Sequence, residues 1–303
     1  MATSESHVTL CNMSALMAQA AAIANEHLDT RTAATWLDLI RPAIALDEAA
    51  QGDVVVARLG GQPRLPAGAP WPEWDGVGPL SFVGEVDVAA LSATDHDPGI
   101  SLPAAGRLAF FVLDDGYGFA DATHLDSFRV LHLPDEGLPA TAPAGAQTYA
   151  VRELTARPVL TAPDAFHPSL PATFGIDASA DYPAWLDHPV NGANFVDAME
   201  RLRGHLPRHQ VGGWAIAVQG PVELEAAHDE VQRRHPAERD LTSPRRRNVV
   251  EIAAETDRWV LLFQVDSDDD VTWGDAGTLY WLARPEDLAQ GDLTNIRFVM
   301  QCC

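Results

Sequence analysis

The chain contains no lysine, because all 20 of its basic residues are arginine. This absence excludes enzyme classes whose chemistry depends on a lysine. They are the P-loop nucleotide hydrolases, the protein kinases and the enzymes that hold pyridoxal phosphate as a Schiff base. Genome composition and adaptation to salt both predict arginine in place of lysine, so the depletion alone does not indicate a function.

Cysteine and long apolar segments are also scarce. The three cysteines, Cys11, Cys302 and Cys303, are too few for a disulfide framework or for a zinc site of four thiolates. No apolar run approaches the roughly 20 residues of a transmembrane helix, and the first residues lack the basic segment of a signal peptide. These features predict a soluble protein of a reducing cytoplasm.

Positive charge is scarce relative to negative charge. The 43 acidic residues outnumber the 20 basic ones, which gives a formal net charge of −23 at pH 7. Proteins that bind nucleic acids or anionic membranes contact phosphates with clustered basic residues, so neither is an expected partner. A basic protein or peptide is the expected partner, although an acidic surface also serves solubility.

No cofactor is expected either. Gly60-Gly61 is the nearest approach to a nucleotide-binding glycine motif. It does not match the dinucleotide-binding fingerprint, and it is followed by prolines rather than by a helix.

Two segments of the chain are similar to each other. Leu80-Ser-Phe-Val-Gly-Glu-Val-Asp87 and Trp259-Val-Leu-Leu-Phe-Gln-Val-Asp266 each run from apolar residues into Glu/Gln-Val-Asp. Each is followed by Gly-x-Leu at the start of a second apolar run, at Gly106 and at Gly277. Such a repeat predicts a duplicated β unit. The predicted fold class is α+β and β-dominated, with internally duplicated β units packed together and helices at the periphery.

The rest of the pattern predicts two regions. Residues 1–45 are predicted as an N-terminal helical segment, since apolar residues recur at helical spacing over 13–29 and 31–41. Residues 46–303 are predicted as the main domain, with its two similar units around 54–133 and 249–301. Within it the pattern predicts further strands at 127–133, 151–160, 214–219 and 296–301, helices at 194–204 and 223–247, and loops at 62–72 and 162–189.

Several short motifs occur together and in a fixed order. They are Gly60-Gly61-x-Pro63, Trp71-Pro72, His209-Gln-Val-Gly-Gly213, Trp273-Gly-Asp275-x-Gly277 and the closing Gln301-Cys-Cys303. In this combination the chain resembles the YwqG-like family, a domain of unknown function designated DUF1963, from about residue 55 to the C-terminus. The resemblance implies a β-rich, duplicated fold in a bacterial cytoplasmic protein, and it implies no reaction. The chain departs from the family at Glu85, where glutamine is more frequent, and at Ala215, where proline is common.

The ends of the two similar strands supply four candidate catalytic side chains. If the two units pack about a pseudo-twofold axis, Asp87 and Asp266, together with Glu85 and Gln264, face one groove. Two carboxylates in one cleft are what acid/base hydrolysis requires. Alternatively, each aspartate accepts hydrogen bonds from local backbone at its strand end, which is a frequent role of aspartate.

The acidic segment 266–275 contains the candidate metal ligands. Asp266, Asp268 and Asp270 alternate as ligands do in a calcium-binding loop. However, Val271 lies where such a loop has its glycine, and Gly277 lies where it has its bidentate glutamate. No metal is therefore expected, and Asp266 is expected to cap a turn.

Tryptophans near loop ends, with two polar neighbours, are the candidate binding residues. They are Trp71, Trp214, Gln219, Trp273 and Asp275. Aromatic side chains at the rim of a cleft contribute strongly to protein recognition. The leading hypothesis is a non-enzymatic binding or interaction module of the immunity or inhibitor type, which covers a basic protein. The alternative hypothesis is a hydrolase with paired carboxylates in a central groove.

Overall fold

The computed structural model describes residues 3–114, 124–134, 137–177, 182–204, 207–235 and 248–302. Its elements in chain order are α1 (Thr3–His27), α2 (Thr30–Leu37), β1 (Arg41–Glu48), β2 (Ala57–Leu59), β3 (Arg64–Leu65), β4 (Glu73–Trp74), β5 (Gly78–Pro79), β6 (Ser81–Asp87), α3 (Val88–Ser92), β7 (Arg107–Val112), β8 (Phe128–Leu133), β9 (Leu138–Pro139), β10 (Arg152–Thr161), α4 (Leu170–Thr173), α5 (Tyr182–Leu186), a 3-10 turn (Pro189–Asn191), α6 (Ala193–Arg203), β11 (His209–Val211), α7 (Val222–Arg234), α8 (Asn248–Thr256), β12 (Val260–Asp266), β13 (Thr278–Ala283), α9 (Pro285–Gln290) and β14 (Arg297–Gln301).

Ten strands form one antiparallel sheet in the order β14-β13-β12-β11-β1-β10-β2-β6-β7-β8. At its centre β1 and β10 pair along the full length of β1, from Arg41↔Thr161 to Glu48↔Leu154. The sheet is nearly closed, since the rings of Phe128 on β8 and Phe298 on β14 have their centroids 5.7 Å apart. The predicted class, mixed helix and sheet with the sheet dominant, is confirmed.

On either side of the central pair, the strands follow one another in the same chain order. One side contains β2, β6, β7 and β8, and the other contains β11, β12, β13 and β14. Each side has one register shift, between Phe82 and Gly84 in the first and between Leu261 and Phe263 in the second. We call residues of the first group of strands the first half and those of the second group the second half.

Alternate side chains of the sheet fill its interior. Phe110, Phe263 and Trp281 are fully buried there, and their ring centroids lie between 4.4 and 5.8 Å apart. Val86 and Val265 belong to the same interior core. Because side chains alternate along a strand, the residues that flank these two valines project from the outer face of the sheet.

The outer face is covered differently in the two halves. In the second half, Ala226 of α7 packs on Trp259 and Tyr280. In the first half, the loop that carries Trp71 packs on Phe111. A separate apolar cluster, distinct from both, joins helices α1, α2, α5 and α6.

A network of arginine and glutamate side chains fixes α7 and α8 against the sheet. Arg234 donates to Glu230 (3.1 Å) and to Glu255 (2.8 Å). Glu255 also accepts from Arg284 (2.5 Å), and Glu230 contacts Arg297 of β14. Each of these carboxylates is shared by more than one guanidinium group, whose planar array of donors suits such bridging.

Several predicted elements are confirmed at their expected places. The predicted strands at 127–133, 151–160 and 296–301 correspond to β8, β10 and β14. The helix predicted from Asn194 is α6, although it begins at Ala193 with Gly192 as its N-cap. Within the described residues, no helix is both long and apolar enough to cross a membrane.

Other predicted elements are wrong. Residues 214–219 are irregular rather than a strand, because their backbone bonds go to side chains. The loop predicted at 162–189 contains the short helices α4 and α5. The helix predicted over 223–247 ends at Arg234, and residues 236–247 lie outside the described residues.

The predicted boundary between residues 45 and 46 falls inside β1. The helical spacing over 31–41 extended the predicted helix too far, because α2 ends at Leu37 and the strand begins at Arg41. The alternation Ala43-Ile44-Ala45-Leu46 places Ile44 and Leu46 in the interior core. The N-terminal segment therefore contributes a central strand as well as two helices.

Candidate functional site

Glu85 lies on the outer face of β6 between two arginines. Its Oε1 accepts from Nη2 of Arg58 (2.9 Å), and its Oε2 accepts from Nη1 of Arg107 (3.0 Å). Arg107 donates through Nη2 to the carbonyl oxygens of Arg64 and Pro134, both at 3.1 Å. Charge-assisted hydrogen bonds of this kind compensate a buried carboxylate. Both oxygens of Glu85 are thus engaged by arginine.

Asp87 lies at the junction of β6 and α3. Its Oδ1 accepts from the backbone N–H of Ala90 at 2.8 Å, so Asp87 is the N-cap of α3. A capping side chain stabilises its helix by about 1 kcal/mol. This contact is the local backbone bond considered above as the alternative to catalysis.

A cleft of about 390 Å³ opens beside these two residues. Residues 55–56, residues of β2, β3, β6, β7 and β10, and the start of α3 line it, and we call it the charged cleft. Three arginines and three carboxylates contribute to its lining: Arg58, Arg64, Arg107, Glu85, Asp87 and Glu153. Two of the four predicted catalytic residues, Glu85 and Asp87, therefore share one cavity.

Gln264 and Asp266 occupy the corresponding end of β12. Gln264 is 1% exposed; its Oε1 accepts from the N–H of Ile216 (2.9 Å), and its Nε2 donates to the carbonyl of Arg208 (2.8 Å). Asp266 accepts from the N–H of Arg208 (2.9 Å) and from the hydroxyl of Thr278 (2.8 Å). The two side chains thus bind adjoining backbone and strand β13.

The two pairs of candidate catalytic residues have separate surroundings. Strands β2, β10, β1 and β11 lie between β6 and β12 in the sheet. No hydrogen bond between side chains of the described residues joins Glu85 or Asp87 to Gln264 or Asp266. That the two pairs face one common groove therefore stays a prediction, and no contact between the described residues supports it.

Residues 212–220, which we call the strap, cross the outer face of the second half. Gln210 donates through Nε2 to the carbonyls of Gly212 (2.7 Å) and Trp214 (2.9 Å). The hydroxyl of Tyr280 donates to the carbonyl of Ile216 at 2.8 Å. These side chains satisfy backbone groups that a strand would pair with another strand.

Gln301 holds the far end of the strap. Its Oε1 accepts from the N–H groups of Val218 (2.8 Å) and Gln219 (3.0 Å). Its Nε2 donates to the carbonyl of Gly220 (2.9 Å) and to Glu225 (2.5 Å). One side chain from each of β11, β12, β13 and β14 therefore binds the strap.

The acidic segment is organised around a largely buried ion pair. Asp268 contacts Arg152 of β10, and its Oδ1 accepts from the N–H groups of Asp270 (2.8 Å) and Val271 (3.0 Å). Asp266, Asp268 and Asp270 thus have different roles, with Asp270 exposed. Among the residues that the structure describes, no group of three or more His, Cys, Asp or Glu side chains is arranged to hold a metal ion.

His209 is the buried neighbour of this ion pair. Its Nδ1 accepts from the N–H of Asp266 at 3.1 Å, which places the ring proton on Nε2, 3.7 Å from Asp268. Burial, reinforced by the charge of Arg152, lowers the pKa of His209 to about 4. The imidazole is therefore neutral at physiological pH.

Two of the predicted binding tryptophans have structural partners in different parts of the fold. Trp71 donates to the carbonyl of Leu80 at 2.8 Å, in the first half. Trp273 donates to the carbonyl of Asp266 at 3.2 Å and packs edge-on against Tyr149, with centroids 5.0 Å apart. Trp273 is 3% exposed, so its ring is part of the core.

The other three predicted binding residues lie apart from Trp71 and Trp273. Trp214 donates to the carbonyl of Leu39 (2.8 Å), and the guanidinium of Arg41 lies 3.5 Å above its ring. Gln219 and Asp275 are exposed, on the strap and on the acidic segment respectively. The structure therefore distributes the five residues over separate parts of the fold, with Trp214 and Trp273 buried.

Sequence reasoning missed an apolar groove of about 590 Å³ between α7, α8 and β14. Apolar lining residues include Leu224, Ile252 and Val299, and Glu225 and Asp229 of α7 stand among them. Three segments distant in the sequence form this groove. The only local signal is the spacing of Glu225 and Asp229, which places both on one side of a helix.

Glu223 is a buried carboxylate at the start of α7. It is 3% exposed, and burial raises its pKa to about 7, although Arg41 acts in the opposite direction. His167 is 2% exposed in the same region, and burial lowers its pKa. Sequence reasoning missed both, since burial of a single charged residue on a helix has no reliable signal in one sequence.

The raised pKa of Glu223 predicts a pH dependence of stability. Because the folded state retains the proton more strongly than the unfolded state, stability is greatest below about pH 4.5 for this group and decreases as pH rises towards 7. The difference corresponds to about 3 kcal/mol. We expect Glu223→Gln to remove this dependence in urea denaturation at pH 5 and pH 8. The exposed control Glu48→Gln should preserve it, and an unchanged pH profile of Glu223→Gln would contradict the assignment.

A family model described as a domain of unknown function, DUF1963, matches residues 57–302. The chain belongs to this family. The resemblance inferred from the sequence motifs is thus confirmed. In this DUF1963 protein the match begins at Ala57, the first residue of β2. It includes the six charged residues of the charged cleft, the strap and the apolar groove. A search of curated proteins finds no match.

Proposed function

We propose that this DUF1963 protein is a non-enzymatic binding module that accommodates a basic, partly apolar segment of another protein. The observation that carries the proposal is the apolar groove with its acidic residues, in a chain of net charge −23. Cavities of about 300–1,000 Å³ with an apolar lining and a few polar groups are typical of binding sites. An inhibitor or immunity protein that covers a cationic protein is one form of this function.

The chemistry of the groove defines the segment that would bind. Leu224, Ile252 and Val299 offer apolar contact to leucine-like side chains. Glu225 and Asp229 offer negative charge to arginine or lysine, and the overall field of the protein would accelerate encounter with a cationic partner. Neither nucleic acid nor a membrane surface suits this charge.

The walls of the groove are held in place before anything binds. The network of Arg234, Glu230 and Glu255 joins α7 to α8, and Arg297 joins α7 to β14. A preformed groove loses little conformational entropy on binding. Because the groove is rigid, we expect the bound segment to adapt its conformation to the groove.

Charge reversal on α7 tests the proposal. The probe is a short, fluorescently labelled peptide of alternating leucine and arginine, followed by fluorescence anisotropy. We expect Asp229→Arg to weaken its binding about tenfold, since a favourable charge contact becomes a repulsive one and the change is about 1.4 kcal/mol. Added salt should weaken binding to the unaltered protein and have less effect on the variant.

The matched control is Asp197→Arg. Asp197 is exposed on α6 and does not line the groove, yet its reversal changes the net charge by the same amount. We expect this variant to bind the peptide within about twofold of the unaltered protein, because salt largely screens an exposed charge that lies outside the groove. Equal losses in the two variants, or equal binding of a leucine and glutamate peptide, would contradict a local site.

The alternative hypothesis, a hydrolase that uses Asp87, Asp266, Glu85 and Gln264, stays a prediction. The contacts of these residues favour structural roles, because Asp87 caps α3 and Gln264 binds the strap. No described contact favours catalysis over binding.

We also propose that the two halves of the sheet arose by internal duplication. Two observations support this proposal. The strands of the two halves have the same order in the sheet, and corresponding residues have corresponding cross-strand neighbours. In the strand register, Glu85 lies opposite Arg58 on one neighbouring strand and Ala109 on the other. Gln264 lies in the same way opposite Gln210 and Tyr280. In each half a side chain of the first strand also bonds the following loop, since Arg58 donates to the carbonyl of Gln62 as Gln210 does to that of Trp214.

The glycine pairs support the same relation. Gly60, Gly61, Gly212 and Gly213 follow β2 and β11, and their φ angles lie between 65° and 73°. A Cβ atom at Gly60 would lie 2.1 Å from a carbonyl oxygen, and one at Gly212 would lie 1.8 Å from another. Only glycine suits these positions, so the same turn requires the same residue in both halves.

The proposed location of this binding is a bacterial cytoplasm. The argument rests on the small number of cysteines, of which Cys302 is a free thiol in the structure. The reducing environment of a cytoplasm keeps such thiols reduced.

A further inference from the structure

The charged cleft has a lining unlike that of the apolar groove. It lies on the outer face of the first half, whereas the groove lies on α7, α8 and β14 of the second. Arginines 58, 64 and 107 and the carboxylates of Glu85, Asp87 and Glu153 line it in equal numbers. The remaining lining residues are valines and alanines, which leave its space open.

The inner wall of the cleft is fixed. Glu85 accepts from Arg58 and Arg107, and Arg107 is held by the carbonyls of Arg64 and Pro134. Arg107 is only 4% exposed, yet its Nε–H finds no acceptor among the residues that the structure describes. Buried donors in proteins are almost always paired. This Nε–H is itself buried, so Arg107, which lines the cleft, retains unused hydrogen-bonding capacity.

The mouth of the cleft offers both signs of charge to a ligand. Arg64 is exposed, and its single described side-chain bond is from Nε to the carbonyl of Gly137 at 3.3 Å. Glu153 is exposed and is the cross-strand neighbour of Arg58. Asp87 accepts its capping bond through Oδ1 only, within the contacts of the described residues. Cationic and anionic groups are therefore available side by side.

We propose that the charged cleft binds a small zwitterion, an amino acid or short peptide whose carboxylate meets the arginines and whose ammonium meets Glu153 and Asp87. Because Glu85 is already paired with Arg58 and Arg107, the charges left for a ligand are those at the mouth, and a ligand of one sign would meet Arg64 alone or Glu153 and Asp87 alone. The volume of about 390 Å³ suits a ligand of dipeptide size. This site is independent of the proposed binding of a basic protein.

Side-chain NMR of arginine tests the site with three related probes. Alanylalanine carries both charges, its N-acetyl derivative lacks the cation, and its amide lacks the anion. We expect alanylalanine to shift the Nε–H cross-peak that Arg64→Gln removes, and each derivative to bind about tenfold more weakly, as expected for the loss of one charged hydrogen-bonding partner.

Substitution of two exposed residues of the cleft tests separately which residue binds the carboxylate of the ligand and which binds its ammonium group. Arg64→Gln should weaken the binding of alanylalanine about tenfold and leave the affinity for the amide unchanged. Glu153→Gln should also weaken the binding of alanylalanine, but it should leave the affinity for the N-acetyl derivative unchanged. Arg129→Gln on β8, outside the lining, is the control and should alter neither. Absence of shifts with alanylalanine, or equal binding of the three probes, would overturn the proposal.

Discussion

Replacement of Arg107 by threonine is expected to lower the free energy of unfolding by about 3–5 kcal/mol, the range for removal of one partner from a buried ion pair. Arg107 is 4% exposed, and Glu85 is 7% exposed. In the variant Glu85 retains only Arg58, and the carbonyls of Arg64 and Pro134 lose their donor. Urea denaturation followed by tryptophan fluorescence measures the change.

The matched test removes all three charges together. In the combined variant Arg58→Gln, Glu85→Gln and Arg107→Thr, each position carries the residue of its counterpart in the second half, namely Gln210, Gln264 and Thr278. Because no buried carboxylate remains that has lost one of its two arginine partners, we expect this variant to be about 2 kcal/mol more stable than Arg107→Thr alone. A combined variant as unstable as the single one would contradict both the ion-pair argument and the correspondence of the two halves.

Replacement of Gln264 by leucine is expected to lower the free energy of unfolding by about 3 kcal/mol. The substitution leaves the N–H of Ile216 and the carbonyl of Arg208 without their partner, and each buried unpaired group costs about 1–3 kcal/mol. The exposed strap residue Gln219 supplies the control, since Gln219→Leu should change stability by no more than about 0.5 kcal/mol. Equal effects would mean that the strap is not held by Gln264.

Gln264→Glu gives a second measurement at the same position. Only a neutral carboxyl group can donate to the carbonyl of Arg208, so folding should raise the pKa of the introduced group. The variant should therefore be most stable at low pH and lose stability as pH rises through that raised pKa. A glutamine with a catalytic role would instead show lost turnover with stability near that of the unaltered protein at every pH.

The strands of the sheet were predictable because their sequences are short, apolar and regularly spaced. The two Glu/Gln-Val-Asp segments correspond to β6 and β12, which stand at the same place in their halves. The strap was not predictable. Trp214-Ala-Ile-Ala-Val-Gln219 has the composition of a strand, and only its position after Gly212-Gly213, matched by Gly60-Gly61, indicates a turn onto the outer face.

The sites were less predictable than the strands because they depend on contacts between distant residues. Glu85 was identified from its strand end, but its partner Arg58 lies on another strand and in a different motif. The apolar groove joins residues of α7, α8 and β14, none of which stands out alone. The burial of Glu223 has the same origin, since the residues that enclose it come from other parts of the chain.

The central position of β1 has a consequence for the extent of the folding unit. The matched family region starts at residue 57, yet β10 pairs with β1 on one side and β11 pairs with β1 as well. A polypeptide trimmed to that region would keep every motif of the family and lose the strand that joins its halves. Two exposed strand edges would then face each other across a gap, and such edges promote aggregation.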